Sequence, residues 1–255
     1  MGTLVAAPAV VVQDVTITGP GQAPIQAYVV RPQTGGYRPR SMAGVLYLHW
    51  FEVGHPTQDR GEFLAEAVTL AGRGVVAMLP QLTFPWAGDP VGDARDRASV
   101  AAQYAAVRRA YHSLVAQPGV DQDRTAVVGH DYGGMYAALL AQAEPRLRAG
   151  AFLAVDATWA NWFGTFWLGL SEDAWPAYRA LFAGLDPVEN CGRLGTHAFL
   201  QWGDQDRFVP EATRDRFAAA CPAARSTVYT RAGHSLTQQA KDERMAWLSG
   251  ELGLV

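Results

Sequence analysis

The chain of 255 residues is poor in cysteine, in charge and in long apolar runs. Cys191 and Cys221 are its only cysteines, too few for a disulfide scaffold or a thiolate zinc site, so a reduced, cytoplasmic protein is expected. Charged residues make up 18% against a usual value of about 25%, yet 49% of the chain is hydrophobic, which excludes a disordered chain. Net charge is −3 and no basic block occurs, so neither nucleic acid nor an anionic membrane is an expected partner. No apolar run approaches the roughly 18 residues that span a bilayer. The opening MGTLVAAPAVVV lacks the basic start of a signal peptide and reads as a strand.

What the chain does have is a rhythm. VVVQDVTI (10–17) and IQAYVVR (25–31) flank the turn GPGQAP and read as a hairpin. Buried-strand runs then alternate with helical ones: AGVLYLHW (43–50), VVAMLP (75–80), TAVVGH (125–130), AGAFLAVDA (149–157) and HAFLQWGD (197–204). STVYTRAGH (226–234) gives a last strand and loop, and 236–252 a terminal helix. This alternation implies right-handed crossovers and a doubly wound, mostly parallel α/β sheet with the hairpin at one edge. No repeat or linker appears, so 1–255 is expected to be a single domain. Residues 158–190 break the rhythm with eight aromatic side chains, among them Trp159, Trp162 and Tyr178. This segment is expected to pack over the sheet edge and to form a short lid on an apolar pocket at the strand ends.

The chemistry concentrates at Gly129-His130-Asp131-Tyr132-Gly133, where a strand turns directly into a small-residue helix. This is the pattern of a nucleophile elbow, with aspartate at the position of the usual serine. Two further pieces follow in the order nucleophile, acid, histidine. Asp206 comes after the strand HAFLQW, and His234 after STVYT. The backbone N–H groups of Phe51 and Tyr132 are candidates for an oxyanion hole. His49, Trp50, Trp159, Trp162 and Tyr178 are candidate substrate contacts. Asp156, at the end of AFLAVD, is an alternative acid. No motif for a nucleotide, flavin or metal appears, so no cofactor is expected.

These motifs resemble the α/β-hydrolase superfamily from about residue 25 to the end. IQAYVVRP followed by GVLYLHW looks like the dienelactone-hydrolase branch. The Gly-His-Asp-x-Gly elbow looks like that of epoxide hydrolases and haloalkane dehalogenases, which place an aspartate there. The resemblance implies an α/β-hydrolase fold and an alkyl-aspartyl ester on Asp131, hydrolysed with the help of His234 and Asp206.

A carboxylate is a poor nucleophile at acyl carbon, because it would form a high-energy anhydride, but it displaces leaving groups at saturated carbon. An epoxide needs an acid such as Tyr132 or Tyr178, and a halide needs Trp or Asn N–H donors. Epoxide opening on a small apolar organic substrate is the first expectation, with a haloalkane or haloacid dehalogenase close behind. An esterase or lactonase lineage whose serine has been replaced, natively or by engineering, is a third reading. A non-catalytic ligand-binding homologue is a fourth. A homodimer is possible, since nothing in the sequence decides the oligomeric state.

Overall fold

A computed structural model describes residues 9–33, 36, 38–52, 54, 59–190 and 192–254. Its centre is one eight-stranded sheet. In chain order the strands are β1 (Val10–Gly19), β2 (Gln22–Pro32), β3 (Met42–Leu48), β4 (Val75–Pro80), β5 (Val120–His130), β6 (Leu147–Leu153), β7 (Ala198–Gly203) and β8 (Arg225–Tyr229). In space they run β1-β2-β4-β3-β5-β6-β7-β8. The β1–β2 and β2–β4 pairs are antiparallel and all others parallel. β3, β4 and β7 are buried along their whole length, as helices on both faces require.

The helices are α1 (Leu64–Ala71), α2 (Ala94–Val115), α3 (Tyr132–Ala143), α4 (Trp159–Phe166), α5 (Trp175–Ala180), α6 (Pro187–Asn190), α7 (Glu211–Ala220) and α8 (Gln238–Glu251). Two apolar cores result. One packs α2 and α3 with the aromatic segment against one face of the sheet. The other packs α1 and α8 against the opposite face. None of these helices is long and apolar enough to cross a membrane, among the described residues.

The segment 158–190 carries α4 to α6 between β6 and β7. Thr158 caps α4, its hydroxyl accepting from the N–H of Asn161. Trp159, Phe163, Tyr178 and Phe182 sink into the core beside α3, while Phe166 stays exposed. The segment therefore packs over the sheet and still presents aromatic edges outward.

The helix after the elbow begins at Tyr132, because the elbow residue itself caps it and no loop intervenes. One sequence expectation needs correction here. Cys221, at the end of α7, is disulfide-bonded rather than a free thiol. A disulfide persists in oxidising surroundings, so the argument from thiols to a reduced compartment falls. Cys191 lies outside the described residues.

Candidate active site

The strand ends converge on residue 131. β5 delivers Asp131 into a backbone conformation of φ 56° and ψ −128°, a region that is costly for a residue with a side chain. The neighbouring glycines make it possible. A Cβ on Gly129 would lie 2.4 Å from the carbonyl oxygen of Gly133, and one on Gly133 would lie 2.2 Å from that of Leu48. Only bare backbone lets α3 start this close to β3 and β5. The amide of Asp131 is tied to β6 through the carbonyl of Leu153, at 2.9 Å. Its side chain stands up from the sheet.

The Asp131 carboxylate has two differently employed oxygens. Oδ2 accepts the N–H of Phe51 at 2.8 Å, from the chain leaving β3. Oδ1 lies 3.9 Å from Nε2 of His234. The amide of Tyr132 stands at the N-terminal end of α3, where helix N–H groups favour negative charge. His234 is brought in from the far side. β8 is separated from β5 by β6 and β7, so the loop after it must reach back across two strands. It does so by lying flat on Gly203, where a Cβ would meet the carbonyl oxygen of Ala232 at 2.2 Å.

Asp206 holds the other face of the imidazole. Its Oδ2 accepts from Nδ1 of His234 at 2.8 Å, and its Oδ1 accepts the N–H groups of Phe208 and Val209 at 2.8 and 3.2 Å. Burial alone would raise the Asp206 carboxyl, but the hydrogen bond and charge of His234, with those two amides, hold it below its usual value. Burial alone would depress His234, but hydrogen bonds and charge from Asp131 and Asp206 outweigh it and raise the imidazole to about 9. The resting site therefore holds an imidazolium between two carboxylates. Asp156 takes no part. Its oxygens are engaged by the N–H of Thr158 at 3.0 Å and the side chain of Asn161 at 2.6 Å, so it fastens the start of α4.

A cavity of about 420 Å³ opens over Asp131 and His234. Its apolar wall is Phe51, Tyr132, Trp162, Phe166, Trp167 and Phe208, and Asp89 completes the lining. Of the residues singled out as substrate contacts, Trp162 lines it. The other four do not. His49 is buried below, where Nδ1 donates to the carbonyl of Trp50 at 2.9 Å and Nε2 accepts the N–H of Leu82 at 2.9 Å. Burial lowers its imidazole to about 3, so it stays neutral and structural. Trp50 stacks on His130, with ring centroids 5.1 Å apart, and faces a different cavity. Trp159 is fully buried, and its indole donates to the carbonyl of Leu185 at 2.7 Å. The Tyr178 hydroxyl donates to Asp96 at 2.6 Å, away from the site.

The donors around the cavity are unequally employed. Trp162 donates to the carbonyl of Phe208 at 3.1 Å, and Trp167 to Asp89 at 3.2 Å. The Tyr132 hydroxyl is buried and, among the described residues, has no hydrogen-bond partner. Burial and the nearby Asp131 charge push it well above its ordinary range, so it keeps its proton. Phe166 and Trp167 belong to the aromatic segment expected to line an apolar pocket, whereas Asp89 and Phe208 escaped the sequence reading as wall residues. Among the described residues, no three His, Cys, Asp or Glu side chains cluster to hold a metal.

The family model of the prolyl oligopeptidase family matches residues 92–253, which include the elbow, Asp206 and His234. The chain belongs to the prolyl oligopeptidase family. It is an α/β-fold hydrolase, and within that family its elbow carries a carboxylate. No curated protein matches the sequence.

Solved structures share the fold. A protein assigned as a dienelactone hydrolase from Klebsiella pneumoniae superposes with a TM-score of 0.62 at 20% identity, over 94% of this chain and 99% of that one. Acetyl xylan esterase 1 from Thermoanaerobacterium gives 0.61 at 17%, over 96% and 88%. A puromycin-hydrolyzing peptidase from Mycobacterium tuberculosis gives 0.71 at 16%, over 98% of this chain but only 41% of the peptidase. The chain thus spans about two fifths of that peptidase, but 99% of the Klebsiella protein and 88% of the esterase.

Proposed function

We propose that this protein hydrolyses a small apolar substrate at saturated carbon through an alkyl ester on Asp131, with an epoxide as the preferred substrate. One observation carries the reading. Oδ2 of Asp131 accepts the Phe51 N–H, while Oδ1 lies on the side of His234, and both residues line the cavity. That division suits a carboxylate nucleophile. Oδ1 attacks carbon, and Oδ2 becomes the ester carbonyl oxygen already seated against an N–H donor.

In the first step Oδ1 forms a bond to an epoxide carbon and the carbon–oxygen bond of the ring breaks. The Tyr132 hydroxyl hydrogen-bonds the departing oxygen, and the His234 imidazolium gives it a proton. His234 is then neutral. In the second step it removes a proton from water, which attacks Cγ of Asp131, and the oxyanion develops on Oδ2. Collapse releases the diol, and the carboxylate–imidazolium pair is restored with all protons accounted for.

The donor arrangement supports an epoxide over a halide. Both cavity indoles are committed to protein oxygens, whereas the buried Tyr132 hydroxyl has no partner among the described residues, a cost of about 1–3 kcal/mol that a substrate oxygen reaching it would relieve. Amide or ester cleavage by acyl transfer is disfavoured, because residue 131 offers no hydroxyl and an N–H that would serve a substrate carbonyl already holds Oδ2.

The test is intact mass after incubating His234→Gln with styrene oxide and with 1-chlorobutane. A stable adduct of one styrene oxide, mapped to Asp131 and formed more slowly than in the parent because water must then protonate the leaving oxygen, is the expected result. No adduct with either compound, with turnover unchanged in Asp131→Ala, would overturn the mechanism. An adduct from the chloride alone would shift the reading to dehalogenation.

A further inference from the structure

Beneath the site lies a second carboxylate–imidazole pair that the mechanism above does not use. His130, immediately before Asp131, is 2% exposed. Its Nδ1 lies 2.6 Å from Oε1 of Glu62, and its Nε2 lies 3.0 Å from the backbone carbonyl oxygen of His234. The other Glu62 oxygen accepts the N–H of Trp50 at 2.7 Å. Trp50 stacks on the His130 ring at 5.1 Å, and the rings of His130 and His234 lie 5.2 Å apart.

The connections fall on three places. Trp50 immediately precedes Phe51, whose N–H holds Oδ2 of Asp131. His130 immediately precedes Asp131. The carbonyl that receives Nε2–H belongs to His234 itself. One hydrogen-bonded path, Trp50–Glu62–His130–His234, therefore fastens the donor, the elbow and the histidine loop to one another. The histidine loop has the greatest need of it, because it reaches across two strands from β8. Asp206 fixes the ring from one side, and His130 fixes the backbone from the other.

We propose that Glu62 and His130 are positioning residues which hold the Phe51 N–H and the His234 ring in register with Asp131. For its kinetic arm the proposal rests on the reading of residue 131 given above. Nε2 of His130 faces a carbonyl and must carry hydrogen. The contact with Glu62 then needs a single further proton, on either partner, so the pair is neutral as a unit. Positioning thus depends on hydrogen-bond direction, not on net charge.

This separates two variants. In Glu62→Gln, the amide oxygen accepts from Trp50 and the amide nitrogen donates to Nδ1 of His130, so all three bonds survive. In Glu62→Ala, both the Trp50 N–H and Nδ1 lose their partner. With styrene oxide, Glu62→Ala is expected to lower kcat on the order of 100-fold, the scale of one misplaced oxyanion donor, with KM falling in parallel so that kcat/KM stays within about threefold. The ester adduct should then accumulate during turnover, because hydrolysis has become the slow step. Glu62→Gln should stay within about threefold of the parent. A second measurement needs no turnover. Hydrogen exchange should rise at the peptides containing Trp50–Phe51 and His234 in Glu62→Ala, and in neither for Glu62→Gln.

Parent-like kcat and exchange in Glu62→Ala would overturn the proposal. So would an equal loss in both variants, which would mean that charge is what matters. Failure of the reading of Asp131 looks different, as no adduct in His234→Gln. In that event the exchange pattern alone decides this proposal.

Discussion

In the proposed mechanism His234 is acid and then base within one cycle, and the pH dependence of the two steps reports whether the Asp131 charge makes the difference. The resting imidazole is raised to about 9 by Asp131 and Asp206. Alkylation of Asp131 deletes one of these charges, 3.9 Å from Nε2. At an effective dielectric of about 20, two unit charges at that distance attract by about 4 kcal/mol, or roughly 3 pH units at 1.36 kcal/mol each. The ester carbonyl keeps a dipole, so the loss is somewhat smaller. The hydrolytic step should therefore rise with pH through a midpoint about 2–3 pH units below that of the free site. The alkylation step needs the imidazolium and should fall as pH rises through about 9. Rapid-quench single turnovers with styrene oxide, followed by intact mass from pH 5 to 10, resolve both steps. A hydrolytic midpoint near 9 would show that the Asp131 charge survives in the intermediate, which no ester permits.

Asp206→Asn should slow hydrolysis by about 10²–10⁴-fold and should also slow adduct formation, because the imidazolium that protonates the leaving oxygen is lost. The amides of Phe208 and Val209 will claim the asparagine oxygen, leaving its NH2 against Nδ1 and forcing the tautomer that cannot act as base. Equal rates in single-turnover hydrolysis would refute this. Tyr132→Phe should slow alkylation by epoxide at least tenfold while leaving stability unchanged or higher, since it removes an unpaired buried hydroxyl; adduct-formation rates and a melt check both. Because the folded His234 lies above its ordinary value of 6.5, its pairing stabilises fully below about 6.5 and is lost as pH rises through about 9. The loss is on the order of 3 kcal/mol at most. A melting temperature that falls between pH 6 and 9.5 in the parent, and distinctly less in His234→Gln, is the expected result. Gly133→Ala, whose Cβ would meet backbone oxygen at 2.2 Å, should cost more than about 3 kcal/mol and be visible in denaturant melts.

The features legible in the sequence were those encoded locally. Gly129, Asp131 and Gly133 announce a strand–turn–helix elbow because only glycine allows backbones to touch there. Asp206 and His234 could be ordered because each ends a recognisable strand. The aromatic segment was visible as composition, but composition does not say which ring faces which way. Trp159 and Tyr178 turned out to have inward partners, Leu185 and Asp96, and Trp167 and Phe166 reached the cavity. His49 and Trp50 sit beside the site without lining its cavity, because the chain after β3 buries the imidazole against Leu82 and turns the indole onto His130. Glu62 was invisible for a stronger reason. Its partners lie 12 and 68 positions away, and nothing local marks a carboxylate for that role.

On the proposed reading, an aspartate in this family's elbow changes the reaction while leaving the machinery in place. A serine elbow attacks a substrate carbonyl, and the hole receives the substrate's oxygen. Asp131 is longer by a carbonyl, and its own Oδ2 fills the place against the Phe51 N–H. The enzyme then supplies the acyl group and the substrate supplies the alkyl group, so the second half of an ester hydrolysis proceeds on a bond built from the protein side. Phe51, Asp206 and His234 need no relocation for this, because each acts on Cγ of residue 131 as it would on an acyl carbon. The new demand falls on the first step, where an oxygen must leave saturated carbon inside an apolar cavity. The one buried donor there without a partner, among the described residues that line the cavity, is the hydroxyl of Tyr132, adjacent to the nucleophile in the chain.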